Sequence, residues 1–171
     1  MTKDTFTLLA KYNKGANEQM NGVIKTLGGE GWDRQLGGFF TSLHGVCSHL
    51  YISDFTMLKR NRLLREYKTL AGAFFDRELD FKTLLFSSPD EYISKRSELD
   101  DKLIDFIDEL RDEDLCGTLK FLNYKGIPVE KRVNGLLLLT FNHQTHHRGM
   151  ISLYLELLGK ENDFSSLMPF L

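Results

Sequence analysis

The run Leu136–Met150 constrains the fold most, because it places three of the chain's five histidines inside a long apolar stretch. His143 and His147 are four residues apart. On a helix this spacing stacks both imidazoles on one face, within reach of a single ion. The spacing therefore indicates two ligands of a metal site whose third ligand comes from elsewhere in the chain.

His49 is the best candidate for that third ligand, since it lies near the middle of another predicted helix. His44 lies about 140° further round the same helix and His146 is adjacent to His147, so both face elsewhere. Three imidazoles would form a tripod that leaves a position for water or substrate. The alternative from the residues alone is a pair of core histidines bonded to carbonyls or carboxylates. Gln144 stands where a zincin His-Glu-x-x-His motif has glutamate.

Length and composition are those of an ordinary globular domain spanning residues 1–171, with 42% hydrophobic and 27% charged residues. The net charge of −2 gives no electrostatic reason to expect a nucleic-acid partner. We expect no membrane partner, since no charge-free apolar stretch approaches about 18 residues. The N-terminus shows no apolar signal core, and Cys47 and Cys116 are far apart. We therefore expect reduced thiols and a cytoplasmic location.

Apolar periodicity predicts four long helices. They cover about residues 5–27, 39–62, 88–113 and 131–160. Ser88-Pro89 is a typical helix start. Residues 117–131 alternate in character around Asn123–Gly126, which predicts a short extended insert with a turn before the last helix. The pattern favours an all-α four-helix bundle with this insert.

Three segments resemble the DinB/YfiT family. Phe141–Gly149 matches its C-terminal His-x-x-x-His-Arg-Gly signature. Ser42–Asp54 matches its second-helix pattern, in which a histidine is followed five residues later by aspartate. Lys11–Asn17 is similar to its first-helix motif. The order and spacing of these motifs agree over nearly the whole chain.

The resemblance implies a four-helix bundle with up-down-down-up topology, commonly found as a homodimer. It also implies that His49, His143 and His147 bind a divalent metal ion, zinc or nickel. Met150 departs from the glutamine that usually follows Arg-Gly in the family, and Gly15 stands where tryptophan is frequent. The loss of a polar group at Met150 leaves the shared chemistry open.

Other positions carry expectations about packing. Ser48 replaces the asparagine that commonly precedes the second-helix histidine. Asp54 is expected to bond a nearby hydroxyl, amide or first-helix side chain such as Asn17 rather than Arg148. Arg148 itself is expected to pair with a surface or interface carboxylate. Gly149 is expected to admit the close approach of a neighbouring helix.

Two enzymatic functions and one non-catalytic function follow from a three-histidine site. The wider superfamily includes bacillithiol- and mycothiol-dependent transferases, so the resemblance favours an S-transferase acting on a small molecule with a low-molecular-weight thiol. A metal-dependent hydrolase that activates water is the enzymatic alternative. A metal-stabilised dimeric bundle is the non-catalytic one. The only candidate general bases are Glu18 and Tyr12, and both fit structural roles better.

Overall fold

The computed structural model describes residues 1–171 and is mostly helical. Its α-helices are α1 (Lys3–Ile24), α2 (Gly29–Asp33), α3 (Leu43–Arg60), α4 (Ala73–Asp76), α5 (Pro89–Glu109), α6 (Asp112–Cys116) and α7 (Val133–Leu157). Short 3-10 turns cover Asn61–Leu63 and Met168–Phe170, and strands β1 (Thr118–Leu122) and β2 (Pro128–Arg132) form a two-stranded sheet. None of the helices combines the length and apolar character needed to cross a membrane.

Helix α1 packs against both α5 and α7. It runs antiparallel to α5, because the Lys3 ammonium donates to the Asp108 carbonyl near one end and Lys14 pairs with Asp101 further along. It runs parallel to α7, since Phe6 stacks on Phe141 and, further along both helices, Arg148 donates to the side-chain oxygen of Asn13. Helix α1 is thus antiparallel to α5 and parallel to α7.

Helix α3 also packs against α5 and α7. His49 in α3 lies beside His143 near the middle of α7, whereas Leu58 near the end of α3 shares a cavity with Leu136 near the start of α7. These two helices are therefore antiparallel. Asp54 meets Arg96, and Leu58 meets Leu103 across the same cavity, so α3 and α5 are parallel.

Local capping sets helix limits that periodicity did not predict. Helix α3 begins at Leu43 because the Ser42 hydroxyl accepts the Gly45 amide proton at 3.1 Å. The third long helix was predicted to continue to residue 113, but it ends at Glu109. A new short helix, α6, starts after it, since the Asp114 carboxylate accepts the Arg111 amide proton at 2.9 Å.

The predicted extended insert forms the β1–β2 hairpin, in which Thr118 lies opposite Arg132 and Leu122 opposite Pro128. The Asn123 side chain closes the turn by accepting the amide protons of two following residues. Val133 follows β2 directly, so the hairpin leads straight into α7.

The C-terminal tail docks on α1. Phe170 packs edge-on against Tyr12 with ring centroids 5.7 Å apart, and the Tyr12 hydroxyl donates to the Ser165 carbonyl at 2.9 Å. The docked position of Phe170 depends on glycine at position 15, because a Cβ there would overlap the Phe170 ring. The prediction of a close contact at Gly149 is wrong, since nothing lies within 4 Å of the place its Cβ would take.

Candidate metal centre

The three predicted histidines meet at one point between α3 and α7. His49 Nε2 lies 3.3 Å from His143 Nε2, which lies 3.0 Å from His147 Nε2. One nitrogen from each residue falls within 4.8 Å of the others, so the cluster could hold a metal ion. The antiparallel packing of α3 and α7 brings His49 level with the two α7 histidines, while one turn of helix separates those two.

The donor set and its spacing fit a divalent transition metal. Ligand nitrogens about 2.0–2.1 Å from a tetrahedral zinc ion are separated by about 3.3 Å, close to the two Nε2 distances observed. Hydrogen bonding alone does not explain the convergence, because a neutral imidazole nitrogen carries either one proton or one lone pair. A bound cation, by contrast, can accept the lone pairs of all three nitrogens at once. Imidazole suits zinc, copper, iron and nickel alike.

The surroundings keep these imidazoles neutral. Burial, aided by repulsion from the other histidines, lowers the pKa of His147 to about 3 and of His143 to about 4. Burial also lowers the pKa of His49. All three therefore present unprotonated nitrogens at neutral pH, which is the form that binds metal.

Few polar groups touch the cluster. Ser53 Oγ lies 3.5 Å from His49 Nε2, and the His146 ring, which is exposed, packs edge-on against His147 at 4.8 Å. Neither a carboxylate nor a cationic side chain hydrogen-bonds to the three histidine rings. The Nδ1 atom of His147 is buried without a hydrogen-bond partner. The site is thus a neutral donor set in largely apolar surroundings.

The remaining histidine, His44, belongs to a different group. Its Nδ1 lies 2.8 Å from Asp33 Oδ1, and its ring stacks on Trp32 with centroids 5.1 Å apart. His44 is therefore hydrogen-bonded and does not face the cluster, as the helical angle predicts. Cys47 is fully buried in the core, which agrees with its predicted structural role.

A buried ion network lies beside the cluster, and sequence reasoning missed its centre. Arg96 is fully buried on α5 and donates to Asp54 at 2.6 Å and to Asp100 at 2.7 Å. The expectation that Asp54 bonds a hydroxyl, an amide or Asn17 is wrong, because Arg96 takes that place. A signal existed: Arg96 and Asp100 fall on the helical face that carries Leu99 and Leu103.

Arg148 joins the same network from α7. Its side chain is 3% exposed and donates to the Asn13 and Asn17 side-chain oxygens. Asn17 in turn donates to both Asp100 carboxylate oxygens at 3.0 Å. The predicted surface or interface carboxylate for Arg148 is therefore wrong: Arg148 is buried and reaches Asp100 only through an amide.

Burial dominates the electrostatics of this network. Loss of water raises the pKa of Asp54 to about 7, although the adjacent Arg96 opposes that change. Burial raises the pKa of Asp100 in the same way. For Arg96 burial disfavours the charge, yet the attraction of Asp100 and Asp54 raises its pKa above the ordinary value. The network holds two carboxylates and, with Arg148, two guanidinium groups.

The positions that depart from the family pattern have structural explanations. Ser48 accepts the Leu85 amide proton at 3.1 Å and so ties the loop before α5 to α3. Met150 is partly buried against the core.

Glu18 lies 3.9 Å from Lys14 with 60% of its side chain exposed, and the Tyr12 hydroxyl donates to the carbonyl of Ser165 in the tail. Neither candidate general base reaches the cluster.

These observations define a class of protein: a mostly helical chain in which three histidines from two long helices converge. The sequence model of the DinB family matches residues 1–164, and the chain belongs to that family. Protein DinB from Bacillus subtilis strain 168 is 28% identical over 151 residues, covering 88% of this chain and 84% of that protein.

Two solved structures share the fold. A DinB-like protein from Bacillus cereus ATCC 10987 superposes with a TM-score of 0.59 at 18% identity, covering 85% of this chain and 87% of that one. A DinB-like protein from Bacillus subtilis superposes with a TM-score of 0.60 at 12% identity, covering 90% and 94% of the two chains. At these identities the likeness concerns the fold alone.

Proposed function

We propose that His49, His143 and His147 bind one zinc or nickel ion and that the protein is a thiol-dependent S-transferase. The metal assignment is supported by the convergence of three nitrogens within 4.8 Å and by their neutral state. Three protein ligands leave room in the coordination sphere for a substrate atom, as in catalytic rather than structural sites. When bound, the ion supplies a Lewis acid that stabilises a thiol as its thiolate.

The observation that carries the transferase assignment is that no carboxylate hydrogen-bonds to the three imidazoles. A hydrolase of the His-Glu-x-x-His type uses a glutamate as general base, and Gln144 here offers none. A thiol, by contrast, ionises far more readily than water and needs no side-chain base once its thiolate is stabilised.

In the proposed transfer, the thiol sulfur forms a bond to a carbon of the second substrate. The bond from that carbon to its leaving group breaks, and the leaving group departs with the electron pair. The thiol proton passes to solvent. The protein's part is to hold the three imidazoles in one orientation, for which α3 and α7 provide the rigid support.

We further propose that the four long helices form an up-down-down-up bundle and that the protein is a homodimer. The bundle is supported by the contacts of α1 with α5 and α7 and of α3 with the same two helices. A second copy is supported by exposed leucines on the outer side of α7, where Leu139, Leu153 and Leu157 are each more than half exposed. Multi-angle light scattering would measure the mass directly.

Turnover assays with metal-loaded protein test the function. We expect thiol conjugation to a small electrophile that disappears in His147→Ala while circular dichroism shows an intact fold. His146→Ala is the matched control: the exposed His146 ring packs on His147 but contributes no nitrogen to the cluster, so this variant should keep both metal and activity. Ester hydrolysis without thiol transfer would favour the hydrolase. Unfolding on metal removal, with no turnover of either substrate, would favour a metal-stabilised bundle.

A further inference from the structure

Two phenylalanines contact the histidine cluster, and a third packs on one of them. The Phe40 ring lies 4.7 Å from the His49 ring and 5.3 Å from the His147 ring, with centroids as reference points. Phe81 lies 6.0 Å from His49 on another loop. Phe39 packs edge-on against Phe40 at 4.9 Å. We call Phe39, Phe40 and Phe81 the aromatic rim.

The placement of Phe40 is specified by unusual backbone geometry. Thr41 has a φ of 61°, in the left-handed region that β-branched residues avoid. The Ser42 amide donates to the Phe40 carbonyl at 2.7 Å across this tight turn. Gly45 on α3 is needed because a Cβ there would overlap the same carbonyl. Such strain persists only where the surroundings impose it, and it often accompanies a functional site.

Phe81 is presented by an independent turn. The Asp80 carboxylate accepts the Lys82 amide proton at 3.0 Å, and the Asp80 carbonyl accepts that of Thr83 at 3.0 Å. The loop is fastened to α3 where Ser48, the neighbour of His49, accepts the Leu85 amide proton. Two separate loops therefore bring aromatic rings to the same imidazole, that of His49.

Much of the rim is accessible. Phe39 is 87% exposed and Phe81 is 45% exposed, although both are large apolar side chains. Exposed aromatic groups beside a group of converging polar atoms are typical of ligand sites, in which the polar atoms fix orientation and the apolar ones supply contact area. The rim thus offers ring faces and edges to a bound molecule.

The charge balance completes the description of the ligand. Three neutral imidazoles leave the charge of a divalent ion uncompensated, and no acidic side chain bonds to them. A ligand with an anionic donor atom is therefore favoured at the ion. We propose that the site binds molecules that join such a donor to an uncharged aromatic body, with the body packed on the aromatic rim. This inference rests on the proposed metal centre and names the substrate class it takes.

A pair of hydroxamates tests the rim separately from thiol chemistry. Benzohydroxamate and acetohydroxamate share one anionic donor group and differ in the body attached to it. Their dissociation constants would be measured from the visible absorption of nickel- or cobalt-loaded protein. We expect the wild type to prefer benzohydroxamate about tenfold, since aromatic contacts and ring burial contribute about that much.

Phe40→Ala and Phe81→Ala should each reduce this preference by about twofold or more without changing the metal content. Tyr124→Ala removes an 85% exposed aromatic from the distant hairpin and should leave the preference unchanged. If Phe40→Ala fails to fold, Phe81→Ala carries the same test, because its ring is partly exposed. An unchanged preference in Phe81→Ala would refute the proposal that the ligand's aromatic body packs on the aromatic rim. If thiols fail to bind while the hydroxamate preference is intact, the transferase function is refuted and binding on the aromatic rim is supported.

Discussion

Replacing Arg96 by methionine should destabilise the protein strongly, because the guanidinium is fully buried and pairs with two buried carboxylates. Removing one partner of a buried ion pair costs about 3–5 kcal/mol. Asp100 keeps two bonds from the Asn17 amide at 3.0 Å, whereas Asp54 retains no other hydrogen bond. The loss thus falls chiefly on Asp54. We expect about 3–5 kcal/mol in total, a large part of the roughly 5–15 kcal/mol typical of a domain.

The pH dependence of this loss has a definite sign. Burial already raises the pKa of Asp54 to about 7 from an unfolded value of 3.8, and removing Arg96 raises it further. A carboxyl whose folded pKa is raised binds more protons in the folded state, so stability falls as pH rises above the unfolded pKa. The wild type stops losing stability near pH 7, while the variant continues to lose it at higher pH. The deficit should therefore grow between pH 6 and pH 8.5.

Urea unfolding followed by circular dichroism would measure the deficit, with both proteins metal-free so that ion binding does not contribute. Arg62→Met is the matched control, since Arg62 forms a partly exposed pair with Asp76 and should cost less than about 1 kcal/mol. Adding Asp54→Asn to Arg96→Met should recover much of the loss. A deficit below about 1 kcal/mol, or one that is constant from pH 6 to pH 8.5, would refute the reasoning.

Two further outcomes follow from the packing. Cys47 is fully buried, and burial raises the pKa of its thiol, whereas Cys116 is exposed. Ellman's reagent should therefore modify one thiol per native chain rapidly and the second only on unfolding, while two fast thiols would contradict the buried assignment. Gly15→Ala should displace Phe170 and speed amide exchange in the C-terminal tail. In a Phe170→Ala background the same change should stabilise the helix by up to about 1 kcal/mol, and a penalty of equal size in both backgrounds would contradict the contact.

The long helices were predictable because their apolar residues recur with helical spacing, but their ends were not. Helix α3 starts at Leu43 because of a hydroxyl cap, and α5 ends at Glu109 because the chain turns there into α6. Capping depends on side-chain contacts that periodicity does not report. The short helix α2 was missed for the related reason that five residues carry almost no periodic signal.

The three histidines were predictable because spacing and family resemblance point to the same residues. The ion network was not, because a charged residue within a helical pattern is normally assigned to the exposed face. Arg96 is buried where it pairs with Asp100 on its own helix and with Asp54 on α3, and the second pairing depends on how the two helices are aligned. The aromatic rim likewise depends on two loops whose course the sequence pattern does not determine.

The metal content of the purified protein tests the central assignment most directly. Elemental analysis should find about one zinc or nickel ion per chain, as one three-histidine cluster implies. The content should fall sharply in His49→Ala and in the His143→Ala/His147→Ala double variant, and it should be unchanged in His146→Ala. Stoichiometry that survives loss of His49, or loss of His143 and His147 together, would contradict the assignment of the metal centre.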